Sequence, residues 1–575
     1  MQTGACRTAA RGLVKYRNRM QESELPRITL GEILDQQADR AGPRECVAYA
    51  DRDVRFTYQQ MRARVDLVAR GLMALGVRKS EHVAIWAPNI PEWLLIQYAA
   101  AKIGAILVPL NTTNRARELE FLLWHSETTT LIFAADNADA EPIATLRELL
   151  PDVDSAPVGH ARFEKLPRLQ RLLTIGRQRM PGMLRFDDLF DLSAQTHPDD
   201  FRRRSEALDS YDVIMLQFTS GTTGFPKGAM LTHRNLAVTA WDMAAGMNVT
   251  QDDRVCAPVP FFHCFASIGA SIASMLRGSC LVPVTSFDPH AALEAIAKER
   301  CTVIQATPSM LSAILEDPDL DSYDVSSLRT GVTGGAPVSI EMARDVVQRL
   351  HLPEFTIGYG LTEASAGVTR SSPTDPPDKR LGTVGRALAH VQLKVVDPKS
   401  GQAVPPGTQG ELCCRGMGLM KGYHKDPEST AEAIDVEGWL HTKDLATIDA
   451  DGFVNIVGRM RDMIIHDGEK IYPREIEVFL YSHPKIADVQ IIGVPNRTVG
   501  EDVCAVVRVR PGEEVDVSDV IEFCRGRLQD SKVPTLLMTV REFPLTAGGK
   551  VIKPALRQMA IEKFGRQEDA AVVTA

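Results

Sequence analysis

Between Thr57 and Leu110 the chain alternates two periodicities, and that alternation limits its fold more than any other feature. Apolar residues at Met61, Val65, Val68, Leu72 and Leu75 form a helical stripe. The uninterrupted run His82-Val-Ala-Ile-Trp86 reads as a short buried strand, Pro91 to Ile103 as a second helix, and Ala105 to Leu110 as a second strand. The alternation returns at Ala291–Arg300, at Thr302-Val-Ile-Gln305 and at Ile340–Leu350. Strands separated by helices of this size predict parallel sheets with helical crossovers. The expected class is α/β: a large N-terminal domain of parallel-rich sheets flanked by helices, with a β-barrel-like part, and a small mobile α+β C-terminal domain. The proline-dotted stretch Val153 to Asp188 has no clear period and reads as an irregular surface excursion.

After about residue 458 the character changes to short strand candidates, Val489–Ile492 and Val503–Val509, and a helix over Ser518–Leu528. Ser518 is its expected N-cap, and Val520, Phe523, Cys524 and Leu528 its apolar face. The expected organisation is a tail at 1–26, a large domain at 27–460 and a small one at 461–575. The polar junction GRMRDMI, around Asp462, is where relative motion is expected.

At 575 residues the chain exceeds a single core. A net charge of −9 offers no basic patch for a nucleic acid. Ten cysteines without any C-x-x-C read as reduced core residues of a cytoplasmic protein. Arg7, Arg11, Lys15, Arg17 and Arg19 precede the first acid, Glu22, a pattern shared by organelle transit peptides and frayed basic tails. The uncharged run between Arg254 and Arg277 has the length of a membrane span. Pro258, Pro260, His263 and three serines within it favour a buried strand-loop-helix, so no transmembrane segment is expected.

Chemistry concentrates in five stretches. Thr219 to Gly228, TSGTTGFPKG, follows the apolar run Val213–Leu216. Its glycines allow close backbone approach, successive N–H groups make a concavity for anions, and Lys227 adds a point charge. The inventory suits a polyphosphate. It is not a P-loop, because Lys227 follows Pro226 and precedes Gly228. Thr333-Gly-Gly-Ala-Pro337 is a tight turn. Tyr359-Gly-Leu-Thr-Glu363 joins a flat aromatic, a hydroxyl and a carboxylate. Gly438-Trp-Leu-His-Thr-Lys-Asp444 is followed by Gly458-Arg459, and Pro544-Leu-Thr-Ala-Gly-Gly-Lys550 carries a second lysine. Singly, each also fits an ordinary loop: Glu363 a solvated acid, Lys550 a surface lysine, Asp444 a partner for Arg459, His263 a core histidine. Their conjunction and order over more than three hundred residues is the specific signal.

TSGTTGFPKG, YGLTE, GYHKDPESTAEAIDVEGWLHTKD, DGFVNIVGRMRDMIIHDGEKIYPREIE and PLTAGGK resemble, in order and spacing, the signatures of the adenylate-forming superfamily of acyl-CoA synthetases, luciferases and peptide-synthetase adenylation domains. The resemblance covers roughly residues 27 to 560, and GRMRDMI with GEKIYPREIE is most similar to medium- and long-chain acyl-CoA synthetases. It implies an ATP-dependent ligase that makes an acyl-adenylate and passes the acyl group to CoA, with Mg²⁺ as cofactor.

By that resemblance Thr219, Ser220, Gly221, Thr222, Thr223, Gly224 and Lys227 hold phosphates, and Glu363 with Thr219 binds Mg²⁺. Gly335, Ala336, Pro337 and Tyr359, with Gly360 and Thr362 beside it, form the adenine site; Asp444 takes the ribose and Arg459 stands beside it. Lys550 bridges carboxylate and α-phosphate, His263 gates the acyl pocket, and Gly468 leaves room for pantetheine once the small domain turns about Asp462. Catalytic roles thus fall to Lys550, Glu363, His263 and Lys227. The partners implied are a carboxylic acid, such as a fatty acid, with ATP and CoA. Peripheral membrane contact and a homodimer are compatible with this sequence. An acyl-AMP ligase feeding a separate carrier protein, an aryl- or bile-type acid ligase, and a nucleotide-binding pseudoenzyme are the alternatives.

Four residues depart from the family pattern. Lys443 stands where glycine usually precedes the ribose-binding acid, at a cost of about 1 kcal/mol if φ is positive there. Arg461 replaces a commoner lysine, and His466-Asp467 replaces a pair of small residues.

Overall fold

The computed structural model describes residues 27–219, 226–546 and 551–565. They form two compact units: one of the described residues up to Gln392 with Cys414–Leu440, the other of Leu393–Cys413 with His441 onward.

The first unit contains two large sheets. In the seven-stranded sheet, Leu184–Arg185, Arg171–Ile175, Thr130–Ala134, His82–Trp86, Ile106–Pro109 and Val213–Phe218 run parallel in that spatial order, and Gly228–Thr232 closes the edge antiparallel. All five residues of His82–Trp86 are buried, as expected for a parallel strand covered on both faces. The helix Tyr58–Ala74 buries Met61, Val65, Val68 and Leu72, the stripe read from sequence, and starts in a capping box between Thr57 and Gln60. The helix Pro91–Ile103 is buried on nearly every side and ends at Gly104, φ +67°.

The stretch expected to be irregular, Val153 to Asp188, instead contains the fully buried strand Arg171–Ile175. Its leading arginine disguised it. The Arg171 guanidinium donates to the carbonyls of Leu75 (2.7 Å) and Gly76 (3.1 Å) and meets Glu81 at 3.3 Å, so a charged side chain is satisfied inside the sheet.

The nine-stranded sheet has the order Arg386–Ala387, Thr369–Arg370, Glu354–Tyr359, Thr330–Thr333, Val303–Ala306, Arg254–Ala257, Cys280–Pro283, Glu45–Tyr49, Val54–Thr57. Its six central strands are parallel and its edges antiparallel. The uncharged run is a strand, a loop and a helical stretch with one wide π turn, Ser267–Ile272. Among the described residues no helix is long and apolar enough to cross a membrane.

The second unit holds a four-stranded sheet, Val391–Val396, Gly410–Gly416, Leu440–Ile448 and Val454–Arg459, whereas the barrel-like part was expected within the large N-terminal domain. It also holds a five-stranded sheet built on the long hairpin Ile486–Asn496 and Gly500–Val509. Residues 460 and 461, the expected boundary, lie between the last strand of one sheet and the first, Ile464–His466, of the other.

Period-two alternation gives the five-stranded sheet two cores. Val489, Ile491, Val503, Ala505 and Val507 pack with Ile476, Leu480, Val520 and Cys524 from two helices. Ile492, Val494, Cys504 and Val506 pack on the other face with Leu556, Ala560 and Ile561. The helix expected at Ser518–Leu528 is shorter, Val517–Cys524, and Asp516 rather than Ser518 caps it. The Asp516 carboxylate takes the Asp519 N–H at 2.8 Å and also the Ser518 hydroxyl, and Gly526 at φ +69° follows the helix end. All nine cysteines among the described residues are buried and none is in a disulfide.

Candidate active site

The loop holding TSGTTGFPKG joins the antiparallel strands Val213–Phe218 and Gly228–Thr232. Its base is pinned by the Thr219 N–H donating to the Lys227 carbonyl at 2.9 Å. Ser220, Gly221, Thr222, Thr223 and Gly224 lie outside the described residues, as does Lys550. The described neighbours of Lys550, Leu545 and Val551, form an antiparallel bridge, and the Ile552 N–H donates to the Pro544 carbonyl at 2.8 Å.

The Lys227 ammonium donates to Ser429 Oγ at 2.6 Å and stands 5.4 Å from the centre of the Tyr423 ring. Ser429 is in the first turn of the helix Pro427–Ala433, whose cap, Asp426, accepts the Ser429 N–H at 2.9 Å. A D-P-E-S start of this kind fixes the helix entry, and here it aims the serine at the lysine.

Tyr423 links this cation to the carboxylate. Its phenol donates to Glu363 Oε1 at 2.7 Å. Burial, and then the charge of Glu363, push the Tyr423 pKa far up, so the phenol stays a neutral donor. Glu363 lies in a single helical turn, Thr362–Ala364, and its carbonyl accepts the Met420 N–H at 2.8 Å. Thr362 Oγ1 is 3.7 Å from Cys264 Sγ. His263 caps the helix that Cys264 begins, its Nδ1 accepting the Phe265 N–H at 3.2 Å. Lys227, Glu363, Thr362 and His263 are thus joined through Tyr423 and Cys264.

Two neighbouring parallel strands, Thr330–Thr333 and Glu354–Tyr359, release the other glycine turns from the same edge. Ligand crevices of open α/β sheets lie beyond such carboxyl ends. A Cβ on Gly334 would stand 2.6 Å from the Gly358 carbonyl oxygen, so the turns approach closely because one lacks a side chain. Gly335 has φ +83°; Gly335 and Pro337 are exposed and Ala336 and Tyr359 half-buried. A Cβ on Gly360 would stand 1.9 Å from the Ala366 carbonyl oxygen.

In the second unit Asp444 is buried and its Oδ1 accepts Arg459 Nε at 2.9 Å across a paired strand register. Lys443 has φ +60°: the lysine at the family's glycine position does adopt the left-handed conformation. Arg461 Nε meets Asp462 at 3.3 Å, and burial, with Arg459 nearby, lowers the Arg461 pKa. Asp467-Gly468 is a two-residue hairpin turn with φ +50° and +78°, between the paired residues His466 and Glu469. Asp467 and Gly468 are exposed, and among the described residues no atom beyond the glycine and its two chain neighbours lies within 4 Å of where a Gly468 Cβ would be.

Sequence reasoning missed Tyr423, Ser429 and Glu411. The first two lie in a stretch recognised only as a whole, and nothing local marks a tyrosine six residues before a serine as a bridge between a lysine and a glutamate. Glu411 sits within an apolar strand.

Comparison with known proteins agrees with this geometry. The AMP-binding enzyme family matches residues 34–424, and the AMP-binding enzyme C-terminal domain matches residues 475–550. The protein YngI of Bacillus subtilis (strain 168), named as an acyl-CoA synthetase, is 43% identical over 542 residues, 94% of this chain and 99% of that protein. The mitochondrial medium-chain acyl-CoA ligase ACSF2 of Danio rerio is 36% identical over 553 residues, 96% of this chain and 91% of the relative. The ATP-bound crystal structure of MatB from Rhodopseudomonas palustris superposes with a TM-score of 0.78 at 27% identity, covering 92% of this chain and 99% of MatB. The chain belongs to the AMP-binding enzyme family of adenylate-forming ligases, and carries that family's C-terminal domain.

Proposed function

We propose that the chain is an ATP-dependent acyl-CoA synthetase acting on a fatty acid of medium length. It would join carboxylate and ATP into acyl-adenylate with release of pyrophosphate, then transfer the acyl group to the CoA thiol with release of AMP. The observation that carries the reading is the Lys227–Tyr423–Glu363 arrangement in a chain of this family. The first step drives a carboxylate against a polyanion, so catalysis needs a cation and fixed donors at the phosphates.

In this reading Lys227, Thr219 and the loop Ser220–Gly224 take the phosphates. Gly335, Ala336, Pro337 and Tyr359, with Gly360 and Thr362, hold adenine, and Asp444 with Arg459 the ribose. His263 separates acyl pocket from thiol channel, Gly468 borders that channel, and Lys550 brings carboxylate and α-phosphate together. Glu363 fits magnesium: Oε1 takes the phenol, and Oε2 has no hydrogen bond among the described residues. Glu363 with Thr219 would hold the ion, which neutralises phosphate charge when bound; few protein ligands suit a metal that keeps water and phosphate oxygens. The medium-chain assignment follows the name of the Danio rerio relative.

The test is pyrophosphate–ATP exchange with acids from acetate to stearate and with benzoate, followed by thioester formation with CoA. Exchange with mid-length acids and CoA thioester as product is expected. Exchange without CoA transfer would identify an acyl-AMP ligase, and no exchange with any acid would end the proposal. In the same assays Lys550→Ala should abolish adenylate formation yet leave thioester formation from supplied acyl-adenylate largely intact.

A further inference from the structure

Glu411 is a buried carboxylate, 5% exposed, in the strand Gly410–Gly416. A charge so placed must be satisfied by donors. Its Oε2 lies 2.9 Å from His441 Nδ1, and its Oε1 accepts the backbone N–H of Lys443 at 3.1 Å. Both partners belong to one turn within the strand Leu440–Ile448, and Lys443 is its left-handed residue, φ +60°. That conformation costs an L side chain about 1–2 kcal/mol against an extended one, so an interaction has to hold the peptide at 443 in it. A hydrogen bond to a charged acceptor, about 1.5–3 kcal/mol, is enough to decide between them. The next residue is Asp444, whose N–H donates to Thr442 Oγ1 at 3.1 Å while that hydroxyl donates to the Leu412 carbonyl at 2.7 Å. Rotation of the peptide at 443 would turn Asp444 away from the register in which it meets Arg459.

We propose that Glu411 is a positioning residue for the nucleotide: by holding the Lys443 amide in a left-handed turn it sets the direction of the Asp444 carboxylate. The proposal rests on the reading of Asp444 as the ribose ligand. Glycine at 443 would take the same turn without cost. Glu411 therefore matters here because this chain carries lysine at that position.

The test measures kcat and the KM for ATP and for the acid in pyrophosphate–ATP exchange, with thermal midpoints, for full-length Glu411→Ala, Glu411→Gln, Asp444→Ala, and each Glu411 variant combined with Lys443→Gly. Glutamine keeps the shape but gives the Lys443 N–H a neutral acceptor in place of a charged one, whichever tautomer His441 adopts, so it should show the same trend should the alanine variant not fold. The expected result is an ATP KM about tenfold higher for the Glu411 variants. Their kcat and acid KM should stay within about twofold, and Lys443→Gly should return most of the lost ATP affinity. Parallel changes in kcat, both KM values and the thermal midpoint, with no recovery from glycine, would make Glu411 merely structural and overturn the proposal. An unchanged ATP KM in Asp444→Ala would remove the ribose reading itself, and the proposal with it.

Discussion

The Tyr423 phenol donates to the Glu363 carboxylate at 2.7 Å, while the face of the same ring lies 5.4 Å from the Lys227 ammonium. One side chain therefore braces the acid and the cation of the proposed phosphate site together.

Removing only the phenol oxygen tests that brace. Tyr423→Phe keeps the ring beside Lys227 but frees Glu363. A hydrogen bond to a charged group contributes about 1.5–3 kcal/mol, so exchange activity should fall by about tenfold or more. The Mg²⁺ concentration giving half-maximal rate should rise. A magnesium titration of both proteins reads this; superimposable curves would show that the phenol does not orient Glu363.

Lys227 is expected to act as a compact charge. Lys227→Ala should reduce exchange by about a hundredfold or more, the usual cost of losing a donor to developing charge. Lys227→Arg should not restore it. A planar fork differs from an ammonium held 2.6 Å from Ser429 Oγ, so the arginine variant should recover only a small part of the rate. Steady-state exchange on folded variants checks both.

Gly360→Ala should be severe for a small change. The added carbon would stand 1.9 Å from the Ala366 carbonyl oxygen, and Ser365 and Ala366 already have φ of +52° and +75°. The backbone between Tyr359 and Glu363 has to move, costing about 1–3 kcal/mol of stability. A lower thermal midpoint together with a raised ATP KM is expected; an alanine variant with wild-type values for both would refute the close approach.

Histidines near the proposed phosphate loop predict a pH effect. The His82 pKa is lowered from 6.5 to about 4 by burial, with His424 nearby as a second cause; burial also lowers His125 and His424. The rings of His82 and His125 lie 5.2 Å and 5.9 Å from that of His424. A histidine neutral when folded binds its proton only in the unfolded chain between these two pH values. Its contribution is therefore complete above pH 6.5 and is lost as pH falls toward about 4. Thermal midpoints should drop across that window, and His82→Gln should make the drop shallower. Equal slopes in the two proteins would show that His82 does not titrate this way.

Much of this was legible because local pattern and tertiary role coincide. His82–Trp86 and Pro91–Ile103 are apolar over most of their length because they are buried on nearly every side. The left-handed turn at 443 could be anticipated from a lysine in a glycine's place. Legibility ended where a polar residue is satisfied by something distant in sequence. Arg171 hid a strand because its partners lie about ninety residues earlier. Ser518 looked like a cap because a serine and an aspartate two residues apart offer the same kind of oxygen, and only the carboxylate reaches the Asp519 amide. Tyr423, Ser429 and Glu411 took their meaning from residues 30 to 202 positions away.

The five-stranded C-terminal sheet is covered on each face by helices of its own stretch of chain. Its apolar faces are therefore buried within one stretch of chain, and the hydrophobic driving force that forms this sheet is largely internal to the segment.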